Sequence, residues 1–85
     1  MYLHIGEDTV VKESEILGIF DIENTTVSKA TRDFLNRAEK AHAVQTVGDD
    51  LPRSFVACVD KHGKEQVYIS QISCATLRKR NKVNG

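Results

Sequence analysis

With 85 residues, 40% of them hydrophobic and 28% charged, one proline and five glycines, the chain has a globular composition and room for one hydrophobic core. A core in a domain this small supplies only about 3–5 kcal/mol net, so self-association is a natural supplement. The net charge is zero, no apolar run approaches the roughly 20 residues that cross a bilayer, and MYLHIGEDTV has no basic-then-apolar leader; these features predict a cytoplasmic protein without a membrane partner.

The zero balance conceals an asymmetry. Residues 1–25 carry Glu7, Asp8, Glu13, Glu15, Asp21 and Glu23 against Lys12, a net of −5, whereas residues 67–85 carry Arg78, Lys79, Arg80 and Lys82 with no acid, a net of +4. The two cysteines, Cys58 and Cys74, lack the Cys-x-x-Cys spacing of zinc or redox sites and are expected as reduced, buried thiols.

In chain order, Tyr2 to Ile5 is β-prone, Gly6-Glu7-Asp8 signals a turn, and Thr9 to Lys12 returns as the second strand of a hairpin. Ile16 to Ile22 (ILGIFDI) is the most apolar run. Strict alternation puts Ile16, Phe20 and Ile22 on one face and Leu17 and Ile19 on the other, the pattern of a central strand covered on both sides. Asn24-Thr25-Thr26 offers helix caps, and a helix to about Ala41 carries the stripe Val27, Ala30, Phe34, Ala38 and Ala41. On its other face are Lys29, Arg32, Arg37 and Lys40, with Asp33 and Arg37 at ion-pair spacing, a solvated surface.

Gly48-Asp49-Asp50 and Pro52 break the pattern into a loop or an irregular strand pair. Arg53 to Asp60 reads as a strand, Asp60 to Lys64 as a hairpin connection, and Glu65 to Ser70 as the returning strand. Ser73 then caps a short helix to about Arg80, with residues 81–85 a frayed tail. The whole of 1–85 is thus expected as a single α+β domain, an antiparallel sheet with one central helix and a short C-terminal helix.

Catalysis leaves no trace in this sequence. There is no glycine-rich phosphate loop, no Gly-x-Ser-x-Gly elbow and no His/Glu pair at helical ligand spacing, and His4, His42 and His62 fall in a strand, at a helix end and in a turn. Neither an enzyme activity nor a metal or other cofactor is expected. The acids Glu7, Asp8, Glu13 and Glu15 match no calcium loop and read as a solvated edge or a counterpart to a basic patch on another subunit. The cations Arg78, Lys79, Arg80 and Lys82 are what a phosphate-tracking surface requires, and equally what the last turn of a helix favours through its dipole.

Three stretches together carry a resemblance: His4-Ile5-Gly6 through Val10-Val11 to Ile16-Leu17-Gly18-Ile19-Phe20-Asp21; Pro52-Arg53-Ser54-Phe55-Val56-Ala57-Cys58-Val59-Asp60; and Thr76-Leu77-Arg78-Lys79-Arg80. Over nearly its whole length the chain resembles the RemB branch of the extracellular matrix regulatory (RemA/RemB) family of small bacterial proteins. The resemblance implies a protomer that assembles into rings and a regulator that promotes transcription of matrix and biofilm genes by binding double-stranded DNA. In the RemA branch, DNA binding is associated with an arginine before the ILGIF-type strand and an arginine pair before the strand corresponding to 54–60. Here Glu15 stands at the first place and Leu51 and Pro52 at the pair, with Arg53 the adjacent base. The DNA contacts are therefore expected at Arg53, Arg78, Lys79, Arg80 and Lys82, repeated around a homo-oligomer so that avidity supplies affinity. The rival reading is an oligomeric interaction or scaffold module, in which the acidic N-terminal half of one subunit takes up the basic end of the next.

Overall fold

The computed structural model describes residues 1–22 and 28–82, the side chains of residues 81 and 82 excepted. Strands β1 (Tyr2–Gly6) and β2 (Thr9–Lys12) form an antiparallel hairpin, and a single 3₁₀ turn, Glu13–Glu15, leads into β3 (Ile16–Asp21). Helix α1 (Lys29–Lys40), β4 (Val44–Val47), β5 (Ser54–Val59), β6 (Glu65–Ser70) and α2 (Cys74–Lys82) complete the chain. The second sheet has the order β3-β5-β6-β4, antiparallel except for the parallel pair β4–β6. The architecture is α+β, with α1 on one face of the four-stranded sheet and the hairpin with α2 on the other.

The core has two layers. Alternation along β5 sends Val56 and Cys58 toward Leu3, Ile5, Val11 and Leu77, and Phe55 and Ala57 toward Phe34 and Ala38 of α1. The first five residues of β5 are all buried, so β5, not β3, is the central strand. SFVACV is uncharged and buried on both faces, whereas the ILGIFD run ends in Asp21 and lies at the sheet edge.

β3 also departs from strict alternation. Ile16 pairs with Cys58 but Gly18 pairs with Ala57, so two steps on β3 match one on β5. This irregularity turns Ile16 to the same layer as Ile19 and leaves Leu17 63% exposed, where simple alternation had joined Ile16 to Phe20.

Helix α1 is capped by Ser28, whose hydroxyl accepts the Thr31 N–H at 3.1 Å; the expected caps Asn24–Thr26 and the stripe residue Val27 lie outside the described residues. Its buried contacts are Phe34 and Ala38 with Leu35 half-buried, a narrower stripe than expected, since Ala30 and Ala41 stay exposed. The helix ends with His42 in the left-handed region (φ 56°), its N–H bonded to Glu39 O and the Ala43 N–H to Ala38 O. That pairing satisfies the last carbonyls in a Schellman arrangement. It also aims the chain into β4, a strand whose short, half-exposed VQTV segment sequence reading leaves inside the connection.

Two buried serines join the layers. Ser70 Oγ donates to Ile5 O at 2.7 Å, fixing the hairpin on β6, and Ser54 Oγ donates to Ile72 O at 2.7 Å, fixing the approach to α2 on β5. Gly6 (φ 138°) permits the hairpin to close on β4, because a Cβ there would stand 3.0 Å from Val47 Cγ1. At the far end Asp60 Oδ1 accepts the N–H groups of His62 and Lys64, closing the expected β5–β6 connection through Gly63 at φ 80°.

Candidate nucleic-acid interface

Helix α2 begins as its sequence foretells. Ser73 Oγ accepts the Thr76 N–H at 3.2 Å, and Cys74 and Leu77 turn inward, Leu77 fully buried among the core residues of the hairpin and β3. A helix advances about 100° per residue, so with Leu77 inward Arg78 and Arg80 flank it on opposite sides and Lys79 points away. The hydrogen bonds follow that geometry. Arg78 Nη2 donates to Ile19 O of β3 at 2.8 Å, and Arg80 Nη1 donates to His4 O of β1 at 3.2 Å.

The two arginines therefore staple one helix to two different sheets. Ile19 lies on the edge of the four-stranded sheet, so among the described residues its carbonyl has no strand neighbour on that side; Arg78 and, more weakly, the Cys74 thiol at 3.6 Å occupy it. Arg78, Lys79 and Arg80 all remain exposed as residues, and a guanidinium has five N–H donors, so the single bond each makes leaves further donors for an anion. Lys79 makes no polar contact among the described residues, and the Lys82 side chain lies outside them.

Arg53 sits at the same end of the sheet as the approach to α2. Its N–H donates to Ser70 O at 2.8 Å and its carbonyl accepts the Ile22 N–H at 3.1 Å, while the neighbouring Ser54 holds Ile72. Its side chain is exposed. The preceding loop is ordered by Gln71 Oε1, which accepts the Asp50 N–H at 3.2 Å, and by Asp50 Oδ1, which accepts the Leu51 N–H at 2.9 Å. Leu51 projects 79% exposed from it, with Asp49 and Asp50 just before.

The cations of α1 are arranged differently from expectation. Lys29, not Arg37, pairs with Asp33, at 2.9 Å. Arg37 instead reaches β6, donating from Nε and Nη2 to both carboxylate oxygens of Glu65 (3.2 and 2.9 Å) with its guanidinium 5.7 Å from the centre of the Phe34 ring. The fork of a guanidinium matches a carboxylate in two bonds, and Glu65 offers both oxygens across the helix–sheet contact. That hydrogen bonding holds the Glu65 carboxyl below its ordinary range and raises Arg37.

Glu15 stands apart from these cations, near Cys58 and Tyr68. Burial, with Glu15 second, pushes the Cys58 thiol up to about 11; burial, Cys58 and Glu15 raise the Tyr68 phenol. Both groups are neutral at physiological pH. Cys58 and Cys74 are free and buried, as expected. Among the described residues no group of three or more His, Cys, Asp or Glu side chains is placed to hold a metal ion, and no helix is long and apolar enough to cross a membrane.

The stapling role of Arg78 and Arg80 is invisible in local sequence, because it depends on which carbonyls the β3 edge and β1 present to α2. The only local trace is the burial of Leu77 between them.

No protein-family model matches the chain. Comparison with characterised proteins finds Extracellular matrix regulatory protein B of Bacillus subtilis (strain 168), 35% identical over 80 residues that cover 94% of this chain and 89% of that protein. Identity at that level over almost the full length of both chains establishes the relationship: the chain belongs to the family of extracellular matrix regulatory protein B.

Proposed function

We propose that this chain is a non-enzymatic regulator of extracellular matrix genes that binds double-stranded DNA as a ring-like homo-oligomer. The observation that carries the reading is α2: a helix with three consecutive exposed cations, Arg78, Lys79 and Arg80, and no acid in its sequence, fastened rigidly across both sheets. Its name marks the Bacillus subtilis relative as a matrix regulator, which supports the biological direction. Arg53 stands apart from these three: the alternation along β5 gives its position the face of Phe55 and Ala57, on the α1 side of the sheet, so it would serve as a separate contact.

Within that surface the roles divide. Lys79 is the free phosphate contact, whereas Arg78 and Arg80 hold the helix and offer their remaining donors. Such contacts are weak singly and read no base sequence. Repetition around an oligomer makes later contacts intramolecular, and each phosphate neutralised adds about −0.9 to the slope of log K against log salt.

A second reading has support of its own: two of the basic side chains already serve intramolecular contacts, and the acidic N-terminal region offers a partner for the others in a head-to-tail scaffold. A gel-shift titration of mixed-sequence duplex at 50 and 200 mM salt separates the two. The proposal expects a low-salt shift that is lost steeply at high salt. No shift at low salt from an intact oligomer rejects it.

A further inference from the structure

The hairpin leaves part of the sheet face beneath it open. The Ser70–Ile5 bond and the Gly6–Val47 approach seat it over one end of β5, β6 and β4. Beyond it lies a groove of about 370 Å³, floored by Cys58, Gln66 and Tyr68 and bordered by Tyr2 and Val10 of the hairpin. Four charged side chains also line it, two of each sign: Lys12 and Lys64, Glu15 and Asp60.

The fold holds these charges apart. Lys64 stands two residues before Gln66 and four before Tyr68, so it takes the same face at the β6 flank of the groove. Glu15 precedes Ile16, which pairs with Cys58, and so enters from the β3 flank on the other side of β5. Neighbouring strands lie about 4.8 Å apart, which separates the backbones that carry Glu15 and Lys64 by about 10 Å. Asp60 lies between them, but its Oδ1 accepts the N–H groups of His62 and Lys64 in its own turn. Lys12, Lys64 and Glu15 form no ion pair with one another or with any other side chain among the described residues.

Opposite charges therefore face one another across a floor of thiol, amide and phenol, all uncharged and able to hydrogen-bond. Burial raises both the Cys58 thiol and the Tyr68 phenol, and the Glu15 carboxylate adds to each, which places that carboxylate within electrostatic reach of the floor. A ligand with one charge gains at one flank and is repelled at the other. An anion held by the lysines meets Glu15, and a cation held by Glu15 meets the lysines. Only a molecule carrying both charges, a short distance apart, is attracted at both flanks.

We infer that this groove binds a small zwitterion of the free α-amino-acid class, its ammonium on Glu15, its carboxylate on Lys12 and Lys64, and an apolar side chain against Val10 and Tyr68. The charged groups fix orientation and the apolar contacts supply burial, the usual division of labour in a small-molecule site. No lining residue belongs to α2, so the site stands whether or not the chain binds DNA.

The test titrates the full chain with L-leucine and three analogues while amide correlation spectra report the shifts. Isopentylamine lacks the carboxylate, isocaproate lacks the ammonium, and N-acetyl-leucinamide lacks both charges. The expected result is saturable shifts at residues 10–12, 15 and 66–68 with leucine, and at least about tenfold weaker binding of each analogue. Glu15→Gln, at a half-exposed position, should weaken leucine about tenfold and tighten isocaproate; Lys64→Met, at an exposed one, should weaken leucine and tighten isopentylamine. Absence of shifts at millimolar leucine overturns the inference. So does an analogue that binds as tightly as leucine, or a Glu15→Gln protein with unchanged affinity for leucine and isocaproate.

Discussion

Replacing Arg78 and Lys79 separately by alanine should split stability from DNA binding, although the residues are adjacent and both exposed. Arg78 donates a charge-assisted bond of 2.8 Å to Ile19 O, a carbonyl on a sheet edge with no strand partner. Bonds of that kind contribute about 1.5–3 kcal/mol net when shielded, and partial exposure of the guanidinium reduces this to about 1–1.5 kcal/mol. In a chain of this size each kcal/mol moves the midpoint by about 4–8 °C, so Arg78→Ala should lower Tm by about 5–10 °C. Lys79 touches nothing polar among the described residues, and Lys79→Ala should change stability by less than about 0.5 kcal/mol. The DNA readout isolates Lys79: Lys79→Ala removes one phosphate contact per bound subunit and about 0.9 from the salt slope for each with stability intact, whereas Arg78→Ala loses its phosphate donors together with the staple. Thermal melts at one fixed protein concentration, because assembly couples to Tm, and duplex binding at three salt concentrations measure both quantities. An unchanged Tm for Arg78→Ala, or equal destabilisation by the two variants, refutes the staple reasoning.

Other consequences follow from single positions. His42 is held at φ 56°, where a side chain costs about 1–2 kcal/mol and glycine costs none; after its extra unfolded-state freedom is counted, His42→Gly should stabilise by about 0.5–1 kcal/mol in urea titrations. The Asp60 carboxyl is held below its ordinary range, chiefly by the Lys64 N–H; a depressed acid contributes stability that is present above its unfolded pKa and lost as pH falls through the folded value. Between pH 5 and 2 the wild type should therefore lose more stability than Asp60→Asn, and the gap between the two should close in acid. In Cys74→Ser protein, Cys58 at about 11 against an ordinary 9.0 should react with iodoacetamide at pH 8 about 100-fold more slowly than in urea; equal rates would show the thiol unburied.

Much of the fold was legible because its signals are local. The turn residues at Gly6–Asp8 and Asp60–Lys64 and the cap at Ser73 each act within a few residues, and each lies where the pattern puts it. What local pattern cannot show is neighbourhood. ILGIFD is apolar enough for a central strand, but SFVACV, uncharged and with five buried residues, takes the centre. The irregularity at Leu17 shifts a face by one residue, and no spacing along the chain announces it. Arg37 follows Asp33 by four residues yet finds Glu65, 28 residues away, because the bidentate geometry exists only once α1 lies on β6. The basic end of the chain was visible as a run of charge, but its division into two staples and an outward lysine required the positions of Ile19 O and His4 O.

Sedimentation velocity with a fluorescent duplex, read at the dye and protein wavelengths across a salt series, addresses the central claim most directly. The account predicts that at low salt the duplex sediments with a protein oligomer, and that rising salt releases the duplex while the oligomer persists. A duplex that never sediments with protein, or an oligomer that dissolves over the same salt range, would contradict it and assign the basic end of the chain to assembly.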